Sequence, residues 1–325
     1  MVHTTVVGHY PRIGDTYEEQ KLRRAIARLD RGEIREAELK EAEREVVRDV
    51  LREQADAGID LVTDGQITWY DSQSRVAGGL RGIEVNGLVR YFNTNTYYRQ
   101  PVVKSPVSWK GPVLVDDWLF ATEHSRVPVK AVVTGPVTLA ALAKDEHYGT
   151  REALAGAFAE ALASEVEALA KAGAADIQVD EPILARDAET LKSVRETLPR
   201  LNAAKGKARL TLFTYFGDVA KVYPDLLRLE VDSIGLDLVE GSKTWDRVAK
   251  VGSDKPLVLG VVDARNTKAE DPAALAERVR GLRHRVDLEA SSLSPSNGLE
   301  FLPRAKAREK LAILAKAATL VGGGS

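Results

Sequence analysis

The stretch that decides the fold is Asp176-Ile177-Gln178-Val179-Asp180-Glu181-Pro182. Its apolar residues are typical of a buried strand, which should end at Pro182 because proline has no N–H to donate to a sheet. Side chains alternate along a strand, so Asp180 and Glu181 should lie on opposite faces. The stretch predicts a strand that carries one carboxylate to its carboxyl end, where α/β proteins place their chemistry. A helix N-cap or a solvated loop acid is the alternative interpretation.

Seven further short apolar runs have the same character, and helical patterns lie between them. The runs lie at residues 4–8, 59–64, 127–134, 210–215, 233–238, 257–263 and 286–292. Continuous apolar runs suit parallel strands that are covered on both faces. Eight strands that alternate with helices predict an α/β fold, a (β/α)8 TIM barrel, as one domain over residues 1–321 with a flexible tail at 322–325. An open doubly wound sheet is the alternative.

The stretch 65–126 is too long for an ordinary connection between a strand and a helix. It is rich in aromatic residues and contains three of the four tryptophans, namely Trp69, Trp109 and Trp118. We interpret it as an insertion after strand 2, either a lid or substrate wall over the carboxyl end of the barrel or a hairpin that only packs against it.

Composition excludes several classes of protein and site. The formal net charge of the 325 residues is −2, so no basic field recruits nucleic acid or an anionic membrane. The chain has no cysteine, which excludes disulfides, thiolate nucleophiles and Cys-ligated zinc or iron–sulfur sites. It also has no long apolar segment, and a soluble cytoplasmic protein is expected.

Polar residues follow every predicted strand, and together they favour a site for a small zwitterion. A carboxylate such as Asp64, Asp180 or Asp237 accepts from an ammonium group, and the guanidinium of Arg12 or Arg265 grips a carboxylate. Clustered carboxylates also shift one another's pKa toward acid–base work. Arginine–aspartate pairs that tie loops together are the alternative interpretation.

Several motifs in one order resemble the cobalamin-independent methionine synthase family over nearly the whole chain, and most closely its N-terminal barrel. They include Gly8-His9-Tyr10-Pro11-Arg12-Ile13-Gly14, Tyr91-Phe92-Asn93-Thr94-Asn95, Thr134-Gly135-Pro136-Val137-Thr138, Gln178-Val179-Asp180-Glu181-Pro182 and Gly298-Leu299 with Pro303-Arg304. The resemblance implies a methyltransferase that moves a methyl group to the sulfur of homocysteine or a related small amino-acid substrate. Methyl-folate is the candidate methyl donor.

The zinc ligands that the resemblance implies are not present in this sequence. Family members bind zinc through a His-x-Cys pair after strand 5, a glutamate at strand 6 and a cysteine after strand 8. Thr214-Tyr215-Phe216, Asp237 and Asn297 stand in those regions here. Threonine, phenylalanine and asparagine supply neither thiolate nor imidazole, so neither zinc nor another tightly bound cofactor is expected.

The residues and the resemblance together give two sets of candidates. Asp180 matches the acid that contacts the amino-acid substrate, and Gln66 stands where the catalytic barrel of the family has a glutamate. His9 is the best-placed histidine, although a lone histidine is more often a hydrogen-bonded rim residue. The catalytic candidates are Asp180, Asp237, Tyr215 and His9. The substrate-binding candidates are Arg12, Asp64, Gln66, Trp69, Asn95, Thr134, Glu181, Arg265, Ser292 and Asn297.

Three functions are compatible with the missing zinc ligands. One is methyl transfer by a metal-free route, with Asp180, Asp237 or Tyr215 as acid–base groups. The second is a metal-free lyase like the uroporphyrinogen decarboxylases, whose arginine-rich N-terminal signature this chain lacks. The third is a non-catalytic barrel that binds folate or an amino acid, or that supports a partner protein.

Overall fold

The computed structural model describes residues 2–323, which contain ten strands and eleven α-helices. The strands are β1 His3–Thr4, β2 Arg81–Arg90, β3 Tyr97–Ser108, β4 Ala131–Thr134, β5 Lys144–Asp145, β6 Asp176–Asp180, β7 Arg209–Thr214, β8 Ser233–Asp237, β9 Leu257–Val262 and β10 Ser292–Pro295. The helices are α1 Lys21–Asp30, α2 Glu36–Asp56, α3 Ser72–Ala77, α4 Val115–His124, α5 Pro136–Leu142, α6 Arg151–Ala172, α7 Leu191–Ala204, α8 Tyr223–Leu226, α9 Ser242–Val251, α10 Pro272–Arg280 and α11 Arg304–Gly322.

Seven of these strands form one parallel sheet, in the order β1-β10-β9-β8-β7-β6-β4. A short eighth segment closes it, because Leu61 bridges Thr5 after β1 and Val62 bridges Val129 before β4, both in parallel. The Val62 amide donates to the Pro128 carbonyl at 3.0 Å. The predicted (β/α)8 barrel is therefore confirmed, and its second strand is reduced to two residues.

The barrel strands are buried on both faces, as their apolar sequences predict. All residues of β8 and β9 are buried. Helix α6 shows the predicted caps. The Thr150 hydroxyl accepts from the Ala153 amide at 3.2 Å, and Gly173 ends the helix at φ +107°. Only a residue that tolerates the left-handed region ends a helix in this way, which is why glycine stands there.

The eighth barrel strand lies later in the chain than predicted, at Ser292–Pro295 rather than at 286–292. Asp287 is the physical reason, because its side chain accepts from the amides of Glu289 and Ala290, and its carbonyl accepts from the Ser291 hydroxyl. This Asp-led turn uses the residues that the apolar pattern assigned to the strand.

The insertion builds a separate small sheet over the barrel. Strands β2 and β3 form an antiparallel hairpin, and β5 adds to it in parallel with β3. The tip of the hairpin lies on the carboxyl end of the barrel, where the ring of Phe216 lies 5.9 Å from that of Tyr91 and 6.2 Å from that of Phe92. The insertion thus supplies one wall of the space above the strands.

Helix α11 extends through Gly322, the first residue of the predicted tail, and residues 324 and 325 of that tail lie outside the described part of the chain. Among residues 2–323, none of the helices has the length and apolar character needed to cross a membrane.

Candidate active site

A small cavity lies at the carboxyl ends of the barrel strands, beneath the hairpin tip. The loops after β1, β6, β7 and β10 line it together with two residues of the insertion. Its lining consists of Val7, Gly8, His9, Ser72, Tyr91, Asp180, Tyr215, Phe216, Gly298 and Glu300. The predicted catalytic candidates Asp180, Tyr215 and His9 therefore meet at one place, which we call the strand-end cavity.

Asp180 is the last residue of β6, and its side chain is held from two sides. It accepts a hydrogen bond from Gln178 Nε2 at 2.7 Å and another from the Tyr215 hydroxyl at 3.2 Å. The residue is only 7% exposed. Burial raises the pKa of Asp180 to about 7, against the opposing effects of Gln178, Lys130 and Tyr215. A carboxyl group with this pKa can give or take a proton near neutral pH.

Lys130 lies on the far side of Gln178, inside the barrel, and sequence reasoning missed it. Its Nζ donates to Gln178 Oε1 at 2.6 Å and also to the Val6 carbonyl. Burial lowers the pKa of Lys130 to about 7. The sequence does contain a signal for it, because Lys130 is a single lysine within the apolar run 127–134. A lysine in a buried strand is a cation that needs hydrogen-bond partners.

Two other titratable groups of the cavity, His9 and Tyr215, are neutral near pH 7. Burial, and then the charge of Arg12, lower the pKa of His9 to about 3. Its ring meets the edge of Trp69 with 5.8 Å between centroids. Burial and the nearby Asp180 carboxylate hold the pKa of Tyr215 well above its usual range. Tyr215 therefore acts in this site as a hydrogen-bond donor.

Glu300 is the second carboxyl group of the cavity, and sequence reasoning missed it too. It lies in a 3-10 turn, Leu299–Phe301, that follows β10. Burial raises its pKa to about 7, and the charge of Asp180 acts in the same direction. Its position two residues after the Gly298 of the family motif was the available signal.

Strained backbone surrounds the cavity. In the described chain, the non-glycine residues at positive φ are Gln66 at 51°, Phe92 at 49° and Phe216 at 67°. Phe216 lines the cavity, Phe92 contacts Phe216, and Gln66 lies against Gly8. Such conformations cost free energy and concentrate at functional sites, which supports a functional reading of this cavity.

Asp237 does not join the cavity, although it was a catalytic candidate. Its carboxylate accepts from the backbone amides of Phe216, Val239 and Glu240 at 3.2, 3.0 and 2.9 Å. Burial raises the pKa of Asp237 to about 7. These contacts tie the loops after β7 and β8 together, which accounts for this aspartate structurally.

The regions where the resemblance implies zinc ligands contain neither histidine nor cysteine in this chain. Asp237 is engaged by three amides, and the other residues in the corresponding positions are Thr214, Phe216 and Asn297. Within residues 2–323, histidine, aspartate and glutamate side chains nowhere form a group of three or more that could hold a metal ion. Neither threonine nor a carboxamide replaces a thiolate in a tight tetrahedral site.

Glu181 directly follows β6, and its side chain points away from that of Asp180, as the alternation predicts. Its oxygens accept from the Val137 amide at 2.9 Å, the Thr138 amide at 2.7 Å and the Thr138 hydroxyl at 2.6 Å. Burial raises its pKa to about 7, and these three donors oppose that effect. Glu181 anchors the beginning of helix α5 and does not reach the cavity.

Four substrate-binding candidates lie around the cavity, directly behind its lining. Gln66 and Trp69 lie against Gly8 and His9, respectively. The Thr134 hydroxyl donates to the carbonyl of Ser72 at 2.8 Å, and Asn297 precedes Gly298. All four side chains are buried: Gln66, Trp69, Thr134 and Asn297.

One candidate, Asp64, belongs to a different and larger cavity between helices α2 and α4, and a second, Arg12, pairs with a residue of its lining. Asp64 lines this space of about 410 Å³. Arg12 pairs there with Glu43, whose carboxylate lies 3.7 Å from its guanidinium. Burial raises the pKa of Asp64 to about 6. The two residues follow strand ends, as predicted, but their side chains turn outward from the barrel axis.

Three other candidates lie outside the strand-end cavity. Arg265 pairs with Glu240 and lies over the Phe216 ring, 5.6 Å from its centroid. Asn95 is exposed on the hairpin and accepts from Arg90 at 3.3 Å. Ser292 opens β10 and therefore lies at the amino end of the barrel, opposite the cavity. The shifted register of the eighth strand explains that error.

Comparison with known proteins gives the family. The family model "Cobalamin-independent synthase, N-terminal domain" matches residues 3–77 and 74–287. The chain belongs to this family. It is similar to the methionine synthase of Sulfurisphaera tokodaii, 33% identical over 330 residues, with 98% of this chain and 92% of the relative covered. It is also similar to that of Saccharolobus solfataricus, 31% identical over 327 residues, with 99% and 95% covered. These matches confirm the resemblance and the predicted methionine-synthase-like methyltransferase class.

Two solved structures share the fold. A B12-independent methionine synthase from Shewanella sp. W3-18-1, in complex with selenomethionine, superposes with a TM-score of 0.83 at 23% identity, over 99% of this chain and 98% of that one. A putative vitamin-B12-independent methionine synthase from Listeria monocytogenes gives a TM-score of 0.77 at 20% identity, over 100% of both chains. At this identity the likeness extends to the barrel alone.

Proposed function

We propose that the strand-end cavity binds a small amino acid of the homocysteine and methionine class and that the protein transfers a methyl group at its sulfur without zinc. The observation that carries this proposal is the buried Asp180, which is aimed into a cavity at the carboxyl end of the barrel and hydrogen-bonded by Gln178 and Tyr215. Family membership supports the reaction class.

The chemistry of the cavity suits the amino end of such a substrate. An ammonium group donates three hydrogen bonds, and the carboxyl groups of Asp180 and Glu300 are acceptors for it. Binding a cation there lowers the pKa of both carboxyl groups, because an adjacent positive charge favours their ionised forms. The site therefore gains negative charge as the substrate enters.

Methyl transfer to the thiol needs a base in the absence of a metal. A free thiol has a pKa of about 8.5, so only a few per cent is ionised at neutral pH. With methyl-folate as donor, an S–CH3 bond forms and an N–CH3 bond breaks, while the thiol proton leaves to a base and the folate nitrogen takes a proton. The ionised carboxylate of Asp180 or Glu300 is the candidate base, with one oxygen for the thiol proton and the other for the ammonium group.

The test combines metal analysis with ligand binding. Purified protein should contain no stoichiometric zinc, and calorimetry with homocysteine, methionine and methyl-folate should detect an amino-acid ligand. Asp180→Asn should weaken that ligand about 10- to 100-fold, since a hydrogen bond to a charged group is worth about 1.5–3 kcal/mol. Asp64→Asn, in the other cavity, is the matched control. Stoichiometric zinc would contradict the metal-free route, and unchanged binding by Asp180→Asn would contradict the assigned site.

A non-catalytic barrel is the second candidate function, and the residues in place of the zinc ligands favour it. Thr214, Phe216 and Asn297 provide no thiol-activating group. Such a barrel would bind folate or an amino acid, or would support a partner protein. Single-turnover assays of bound methionine or homocysteine, with and without candidate partner proteins, distinguish the two functions. Methyl transfer by the protein alone would contradict the second.

A further inference from the structure

We propose that Glu300 is a substrate-contacting residue, which together with Asp180 holds the ammonium group of the ligand in the strand-end cavity. This inference rests on the proposed function in so far as the ligand is an amino acid. It adds a second carboxyl group to the site.

The backbone around Gly298 directs Glu300 into the cavity. A Cβ atom at position 298 would lie 2.1 Å from Glu300 Oε2 and 3.1 Å from the Cβ of His9. The carboxyl group thus folds back over residue 298 toward His9, into space that only glycine leaves free. Any larger residue there would push Glu300 away from the other carboxyl group.

Glu300 has acceptor capacity that the protein does not use. Its Oε2 is buried and has no hydrogen-bond partner among residues 2–323. Buried polar atoms without partners are rare and costly, so each one requires an explanation, such as a ligand that donates to it.

Two further buried acceptors point in the same direction. Gln66 is 1% exposed, and its Oε1, which would lie 2.6 Å from a Cβ atom at Gly8, is unpaired within the described chain. Asn297 is fully buried beside Gly298, and its Oδ1 is likewise unpaired there. Both residues lie behind the lining of the cavity, so they add acceptor oxygens around it, while Glu300 itself is the acceptor that lines it.

The charges around Glu300 favour a cation. None of the ten lining residues is a lysine or an arginine. The titratable groups that face Glu300 from neighbouring elements are His9 after β1, Tyr91 in the hairpin, Asp180 at the end of β6, Tyr215 after β7 and Arg265 after β9. Arg265 is already paired with Glu240, and Lys130, whose charge lowers the pKa of Asp180, lies behind Gln178 outside the lining, so the lining itself carries two carboxyl groups and no lysine or arginine.

The experiment measures binding of three related probes by calorimetry to the whole protein. The probes are L-methionine, methylthiopropylamine, which lacks the carboxylate, and methylthiobutyrate, which lacks the amino group. Glu300→Gln should weaken both amines about tenfold or more, because it replaces a charged acceptor by a neutral one. It should leave methylthiobutyrate unchanged. Glu277→Gln, an equal loss of charge at an exposed site on α10, is the matched control and should leave all three unchanged.

The possible outcomes separate this inference from the proposed function. Suppose that the wild-type protein binds methylthiopropylamine but not methionine, and that Glu300→Gln loses amine binding. This result supports the role of Glu300 and contradicts the amino-acid substrate. Methionine binding that Glu300→Gln leaves intact overturns Glu300 and leaves the proposed function standing. Equal loss of all three probes, or failure of the wild-type protein to bind either amine, also overturns the inference. Glu300→Asp, which keeps the charge, should retain the preference for amines.

Discussion

Asp180 and Glu181 are neighbours in the chain, yet they lie in two different regions of the molecule. Asp180 faces the strand-end cavity on the barrel axis, and Glu181 faces the space between the sheet and helix α5. Both side chains are buried, and burial raises the pKa of each to about 7. Burial and pKa alone therefore do not distinguish a functional carboxyl group from a structural one.

The difference between the two regions is in hydrogen bonding. Glu181 accepts three hydrogen bonds from residues 137 and 138, at the beginning of helix α5. Asp180 accepts one from an amide side chain and one from a hydroxyl, and it lines an open space. A carboxylate offers about four acceptor positions. Glu181 is thus committed to the fold, whereas Asp180 keeps capacity for a ligand.

The largest expected effect on stability is at Glu181. Glu181→Ala leaves two backbone amides and one hydroxyl without their acceptor, at about 1–3 kcal/mol for each buried group. We expect a loss of about 3 kcal/mol or more in the free energy of unfolding, measured by urea denaturation. Glu181→Gln, which keeps an acceptor oxygen, should lose less. An unchanged urea midpoint for Glu181→Ala would contradict the structural role of Glu181, and with it the difference between this region and the strand-end cavity.

A smaller effect is expected in the pH dependence of stability, at Asp180. Its pKa is raised to about 7 in the folded protein, so its neutral form stabilises the fold at low pH and that contribution is lost as the pH rises through 7. For one such group the loss between pH 6 and 8 is about 1.4 kcal/mol. Asp180→Asn should therefore gain about 1.4 kcal/mol relative to wild type over that interval.

Urea denaturation at pH 6, 7 and 8 measures this gain, and Asp246→Asn, at an exposed position, is the control. Parallel pH profiles for wild type and Asp180→Asn would show that Asp180 is charged throughout, as expected for a carboxylate that is fully satisfied by the fold.

The smallest expected effect is at Tyr215. Tyr215→Phe removes the hydroxyl that donates to Asp180 from 3.2 Å, at a cost of about 1 kcal/mol or less in stability. Because that hydrogen bond lowers the pKa of Asp180, its loss should raise this pKa further. The midpoint of the pH-dependent change in stability should move to higher pH. A shift to lower pH would mean that the hydroxyl does not support the ionised form.

Much of the fold could be predicted because local patterns carry it. Apolar runs that alternate with helical stretches gave the barrel, and Thr150 with Gly173 gave the bounds of helix α6. The eighth strand was misplaced because Asp287 forms a turn within an apolar run. Because of that error, Ser292 was predicted at the carboxyl end of the barrel, whereas it lies at the amino end. Apolar character indicates burial, but it does not fix the register of a strand.

The sequence by itself determined that Asp180 and Glu181 lie on opposite faces of a strand that stops at Pro182, because alternation and the missing N–H of proline are local properties. Only the tertiary structure decided which of the two faces the cavity and brought Glu300 to Asp180 from 120 residues away. It also decided that the carboxylate of Asp237 accepts hydrogen bonds from three backbone amides and does not line the cavity. Which donors reach a buried carboxylate depends on how distant loops pack, and no short stretch of sequence contains that information.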